Sequence, residues 1–395
     1  MIRDVVIASA ARTPMGKLGG QLSELSATAL GSAAIAGAID RSGVDPGELE
    51  YGYMGNMLSA GLGQTPARQA MIGAGVPEAV SGMTINKACA SGLASVVLAA
   101  QTIQAGDAEA VVAGGMESMS NAPHMLLNSR TGLRMGDSEL TDHMVKDGLW
   151  CPFENRHMGD SAEAIAAKYE VRRGAQDEFA VRSQTRASAA VDSGIFDEEI
   201  VAVDVPQRRS DPVRVSADEG PRADASMDRL SALKPAFQQG NTVTAGNSSG
   251  IADGAAACVV MSGDGAAERG ITPLARISGY AHEGNNPGML FDAPSAAVGK
   301  LLYRTGLSLE DFDLIEANEA FAAQVLANGA ALNWGWERVN VWGGAIALGH
   351  PVGASGGRIL TTLLYGLKRV GGKHGLAVIC HAGGGAVALS VENVN

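Results

Sequence analysis

Cys89, His350, Cys380 and Asn318 combine reactive side chains with glycine-rich surroundings. Cys89 stands in Asn86-Lys87-Ala88-Cys89-Ala90-Ser91-Gly92, just ahead of Leu93, Val96, Val97 and Ala100 at helical spacing. The thiol therefore belongs at a loop-to-helix boundary, where unpaired N–H groups and the positive end of the helix dipole favour thiolate over thiol. A thiolate is a nucleophile for acyl transfer. A free cysteine among small residues also packs well, so both readings stand at this point. His350 lies between Gly349 and Pro351. Its neutral imidazole can accept a thiol proton and then donate N–H to a carbonyl oxygen that develops charge, although a lone loop histidine is often only hydrogen-bonded. Taken alone, Cys380 after the apolar run Leu376 to Ile379 reads as a buried strand cysteine, and Asn318 reads as a helix cap.

These residues occupy matching places in two halves. Cys89 is followed by its helix, Gly106, and the run Ala110-Val111-Val112-Ala113-Gly114-Gly115. His350 is followed by Pro351-Val352-Gly353-Ala354-Ser355-Gly356, by Leu360, Leu363, Leu364 and Leu367 at helical spacing, by Gly371-Gly372, and by Ala377-Val378-Ile379-Cys380-His381-Ala382-Gly383-Gly384-Gly385. Asn56 and Asn318 each follow a short apolar segment at nearly equal distances upstream. The pattern predicts a duplicated α/β core with a seam between halves, the reactive groups meeting where loops turn into helices.

At 395 residues the chain is too long for one ordinary core. Val5 to Ala8 reads as a buried strand, Leu30 to Ile39 as an Ala-rich helix, Ala255 to Met261 as a returning strand, and Leu309 to Asn333 as a strand and helix. From about Met116 to Gly246 the sequence is rich in Met, charge and loops, with a helical stretch from Asp160 to Ser193 and no counterpart in the second half. It reads as an insertion. The resulting division is residues 1–118 with 247–269, an inserted domain over 119–246, and residues 270–395. A formal charge of -12 disfavours nucleic acid as the main partner. The cysteines at 89, 151, 258 and 380 lack metal-ligand spacing, so no metal is expected, and reduced thiols point to the cytoplasm. No apolar segment reaches the ~20 residues of a membrane span.

The motifs Asn86 to Gly92, Gly114 to Ser120, Asn318-Glu319-Ala320-Phe321-Ala322, Gly349-His350-Pro351 and the Cys380 glycine loop occur together and in order. In this the chain resembles the thiolase family, in particular its acetyl-CoA acetyltransferases. The resemblance implies a thiolase fold, a duplicated five-layer αβαβα core in which the inserted segment becomes a loop domain over the coenzyme A site. It further implies a homo-oligomer, dimer or tetramer, with acetyl-CoA, acetoacetyl-CoA and CoA as substrates and no separate cofactor. Cys89 would carry the acyl group, Cys380 would be the acid/base at the methyl carbon, and His350 would donate to the thioester oxygen with a water held by Asn318. The backbone N–H groups of Cys89 and Ala382 would hold the acyl-enzyme oxygen. His157, Met158, Arg222, Phe237, Ser249 and Phe321 match segments that contact coenzyme A. Ala382 departs from the usual glycine, which would strain the loop if that position needs a positive φ, and His381 is a second departure. Met289, Leu290 and Phe291 would wall the acyl pocket. A thiolase of broader chain length, and a catalytically impaired CoA-binding relative, are the alternatives.

Overall fold

The computed structural model describes residues 3–237 and 241–394. The first half supplies β1 (Val5–Arg12), α1 (Ala27–Ser42), β2 (Tyr51–Gly55), β3 (Ser81–Ile85), α2 (Ser91–Ala105), β4 (Ala110–Ser118) and β5 (Ala252–Ser262). The second supplies β6 (Ala275–Gly284), α3 (Ala293–Thr305), β7 (Leu314–Ala317), α4 (Ala322–Leu332), α5 (Ser355–Val370), β8 (His374–His381) and β9 (Gly385–Asn393). Strand order is β1-β5-β4-β2-β3 in one half and β6-β9-β8-β7 in the other. The opening strand, the last strand and a parallel pair thus recur in the same sequence. The halves join edge to edge, where Val6 pairs with Arg276 and Ile7 with Ala275.

Helices α2 and α5 lie between the half-sheets. One apolar cluster takes Leu93, Val96, Val97 and Ile103 from α2, Leu360, Leu363, Leu364 and Leu367 from α5, and inward side chains of both sheets. Helix α1 covers the outer face of the first half and α3 that of the second. The five layers follow. Two glycines permit the central contact: a Cβ on Gly356 would lie 2.3 Å from the Leu93 nitrogen, and one on Gly92 2.8 Å from the Gly357 nitrogen. Both helices stop at glycines in the left-handed region, Gly106 (φ 85) and Gly371 (φ 64). The stretch Ala88–Ala105 is apolar and long enough to cross a membrane, contrary to the sequence reading, but 67% of it is buried here as the central helix.

Between β4 and β5 lie short strand pairs, two long helices, Met158–Lys168 and Arg173–Asp192, and a short one, Met227–Ser231. The single helical stretch expected there is broken at Glu170, whose φ of 55 ends the first helix. Arg12, fully buried, anchors this segment: its guanidinium donates to Glu199 at 2.5 Å and to both oxygens of Asp218 at 2.7 and 2.9 Å. Unlike an exposed ion pair, this network is shielded from solvent and satisfied on several sides.

Candidate active site

The turn before α2 is built from local hydrogen bonds. Asn86 Oδ1 accepts from the Ala88 N–H at 3.1 Å, and Ser91 Oγ accepts from Lys87 N–H at 2.8 Å while donating to the Ala88 carbonyl at 2.6 Å. They hold Ala88 at φ 48, a left-handed conformation unusual for alanine. That turn presents the half-buried Cys89 sulfur to the backbone N–H groups of Ala382 and of Cys89 itself. Burial nevertheless pushes the thiol up to about 11, against the lowering effect of those N–H groups and with a further rise from Glu117. The expectation of a thiolate is corrected: a helix terminus contributes about 0.3–1 kcal/mol, less than desolvation of a charge.

Cys380 lies at the end of β8, 2% exposed, in a cluster with Met158, Leu290, Phe291 and Phe321. Burial raises its pKa, and proximity to Cys89 raises it further. Ala382 packs against this cluster and also against a second one holding Ala88, Val352 and Cys89, so the loop after β8 spans both thiols. Positive φ in that loop falls on Gly383 (87) and Gly384 (88) and not on Ala382. The feared strain at Ala382 is absent. His381 points to the other face of the strand, where its Nδ1 meets the Ala382 carbonyl at 2.8 Å.

His350 Nδ1 lies 2.5 Å from Ser355 Oγ, and that hydroxyl lies 2.9 Å from the Pro351 carbonyl. A hydroxyl has one proton, and the carbonyl can only accept it. Nδ1–H therefore donates to Ser355, leaving Nε2 with its lone pair. Burial, with a contribution from the Arg358 guanidinium, depresses the imidazole pKa to about 3. Nε2 has no partner among the described residues, and neither has the Asn318 Oδ1 or Nδ2, although Asn318 is 1% exposed. Parallel pairing of Ala317 with Val378 brings Asn318 beside the end of β8 that carries Cys380.

The coenzyme A candidates fall into two groups. Arg222 and Ser249 line a cavity of about 580 Å³ together with Lys17, Leu18 and Gln184, and its wall continues through Leu348 and Gly349 to the residue before His350. His157, Met158, Phe237 and Phe321 instead form an apolar and aromatic wall beside Cys380. His157 stacks on Phe237 at 4.9 Å, and Phe237 meets Phe321 edge-on at 6.5 Å. Met289, Leu290 and Phe291 pack into the same wall. Sequence reasoning gave no role to Ser355, Arg358 or Glu117. Ser355 had a local signal, since it follows His350 by little more than one helical turn, whereas Glu117 and Arg358 gain their contacts only through the tertiary fold.

The family models for the N-terminal and C-terminal domains of thiolase match residues 5–264 and 271–393. An acetyl-CoA acetyltransferase of Cupriavidus necator is 54% identical over 98% of this chain and 99% of its own, and one of Escherichia coli K12 is 50% identical over 100% of both. The crystal structure of the Bacillus anthracis acetyl-CoA acetyltransferase covers 100% of this chain, and 99% of its own, with a TM-score of 0.97 at 42% identity. Matches of this extent across both halves of the duplicated core place the chain in the thiolase family.

Proposed function

We propose that the protein is an acetyl-CoA acetyltransferase, joining two acetyl-CoA molecules to acetoacetyl-CoA and CoA and catalysing the reverse thiolysis. The observation that carries this reading is the grouping of a half-buried and a buried thiol with an unpartnered imidazole Nε2 and an unpartnered carboxamide. In the first half-reaction His350 Nε2 takes the Cys89 proton as sulfur attacks the acetyl carbonyl, and the N–H groups of Cys89 and Ala382 hold the oxygen of the resulting acyl-enzyme. Cys380 donates its proton to the departing CoA sulfur. It is then a thiolate, and the burial that raised its pKa makes it a strong base toward the methyl group of the second acetyl-CoA. The new carbanion attacks the acetyl carbon, the bond to Cys89 breaks, and protonated His350 returns the proton to that sulfur. Protons balance over the cycle. Asn318 and protonated His350 face the oxygen of the thioester whose α-carbon reacts.

The cavity beside Gly349 fits the coenzyme A moiety, with Arg222 toward its phosphates and the 119–246 segment as its cover; the wall of Phe291, Phe321 and Met158 bounds the acyl group. A homo-oligomeric state, dimer or tetramer, and a cytoplasmic location complete the proposal on the family resemblance. An impaired scaffold rested on strain at Ala382, which its backbone does not carry. The test is thiolysis of acetoacetyl-CoA by CoA beside a 3-ketohexanoyl substrate, with Cys89→Ala and Cys380→Ala as controls. Loss of turnover in both variants and preference for the short substrate support the reading; a preference for the longer one assigns a broader degradative thiolase, and no turnover by the unmodified protein refutes it.

A further inference from the structure

Glu117, fully buried at the end of β4, is bound on both oxygens. Oε1 accepts from Asn56 Nδ2 at 2.7 Å and from the Leu58 N–H at 3.2 Å; Oε2 accepts from the Met57 N–H at 3.0 Å and the Gly353 N–H at 2.9 Å. Three of these donors belong to the loop after β2 in the first half, and the fourth to the turn just past His350 in the second. The end of β2 from which this loop leaves is itself pressed on the start of α2, because a Cβ on Gly55 would lie 2.6 Å from the Ser91 carbonyl carbon and 2.7 Å from the Gly92 nitrogen. On the other side the fit is equally close, a Cβ on Gly353 falling 2.7 Å from Glu117 Oε2 and 3.0 Å from Asn56 Cα. One carboxylate therefore stands in a continuous chain of contacts from the Cys89 helix to the His350 turn. With four donors aimed at it, the group must offer four acceptor sites, which a carboxylate does and an amide does not.

We propose that Glu117 is a positioning residue that locks the His350 turn to the Cys89 side of the seam and so sets the reach of Nε2 to the Cys89 thiol. The inference rests on the roles given above to Cys89 and His350. Glu117→Gln turns an amide N–H toward backbone donors and releases the turn, and small misplacements of a reacting pair cost on the order of a hundredfold in rate. The experiment measures kcat and KM for acetoacetyl-CoA thiolysis in the unmodified enzyme, Glu117→Gln and Glu117→Asp, with melting curves of each. Expected are a fall in kcat of about 30- to 100-fold in Glu117→Gln with KM for CoA within threefold, and a smaller fall in Glu117→Asp, which keeps the charge on a shorter stem. A kcat within threefold of the unmodified enzyme, or a rise in KM with kcat unchanged, overturns the proposal. If Glu117→Gln does not fold, Glu117→Asp is judged by the same KM-against-kcat split. Acylation of Cys89 by acetyl-CoA, followed by intact mass, separates the two levels of inference. Its absence from the unmodified protein overturns the site reading and this proposal with it; its presence, with kcat unchanged in the folded variant, overturns the proposal alone.

Discussion

Cys89 and His350 are each neutral in the resting protein, and this has a measurable consequence for alkylation. Burial pushes the thiol up to about 11 and the imidazole down to about 3. Moving the proton from sulfur to nitrogen would have to recover both shifts, roughly 7–8 kcal/mol at ~1.4 kcal/mol per unit, and desolvated pairs rarely regain so much by mutual attraction. At pH 8 about one Cys89 in a thousand is then thiolate, against about one in four for a free thiol of pKa ~8.5. A more basic thiolate is intrinsically more reactive, by about tenfold here for a Brønsted slope of ~0.4–0.5. The net expectation is alkylation by iodoacetamide about 10- to 20-fold slower than a free thiol at pH 8, rising about a hundredfold between pH 7 and 9. The assay follows pseudo-first-order labelling across that range, with peptide mass assigning the adduct to Cys89 and Cys380→Ala removing the second site thiol. A rate that is level, or changes by less than threefold between pH 7 and 9, would show a preformed thiolate–imidazolium pair and refute the reasoning.

The same His350 shift makes folding stability depend on pH. Its folded pKa lies below the unfolded value of 6.5, so its contribution is full above pH 6.5 and is lost as pH falls toward 3. Between pH 8 and pH 5 the unmodified protein should lose about 2 kcal/mol more than His350→Asn in urea titrations; equal losses would remove His350 as the source. Asn318→Ala deletes two side-chain atoms that have no protein partner among the described residues. It should lower kcat by about 10²- to 10³-fold with little change in melting temperature, and a large fall in stability with activity retained would contradict this. Ala382→Gly should bring no gain, since φ there is not positive, and should cost about 0.5–1 kcal/mol in chain entropy; a kcat raised more than threefold would instead restore the idea of a strained loop.

The duplication was legible because its signals are local. The glycine stops at Gly106 and Gly371, the spacing of leucines along α5, and the apolar runs of β4 and β8 each follow from short-range periodicity, and each lies where that periodicity puts it. The helix break at Glu170 was hidden because Glu carries no turn signal, although its φ of 55 is left-handed. Ala382 shows the converse. The sequence position suggested strain, but the loop assigns its positive φ to Gly383 and Gly384, the next two residues.

The ionisation of the site was the least legible part, and for a physical reason. Helix-start geometry around Cys89 is local and readable, and taken alone it lowers a thiol pKa. Burial is the opposing effect and comes from residues distant in sequence: Ala382, Val352 and Met119 close over the Cys89 turn, while Phe291, Phe321 and Met158 enclose Cys380. No window of the sequence contains both sides of that balance. The result suits the chemistry. In the proposed reaction, a thiol kept neutral until His350 takes its proton places no charge at rest in the buried site, and a second thiol kept neutral by the same means becomes a base strong enough for a carbon acid only after it has protonated the leaving group.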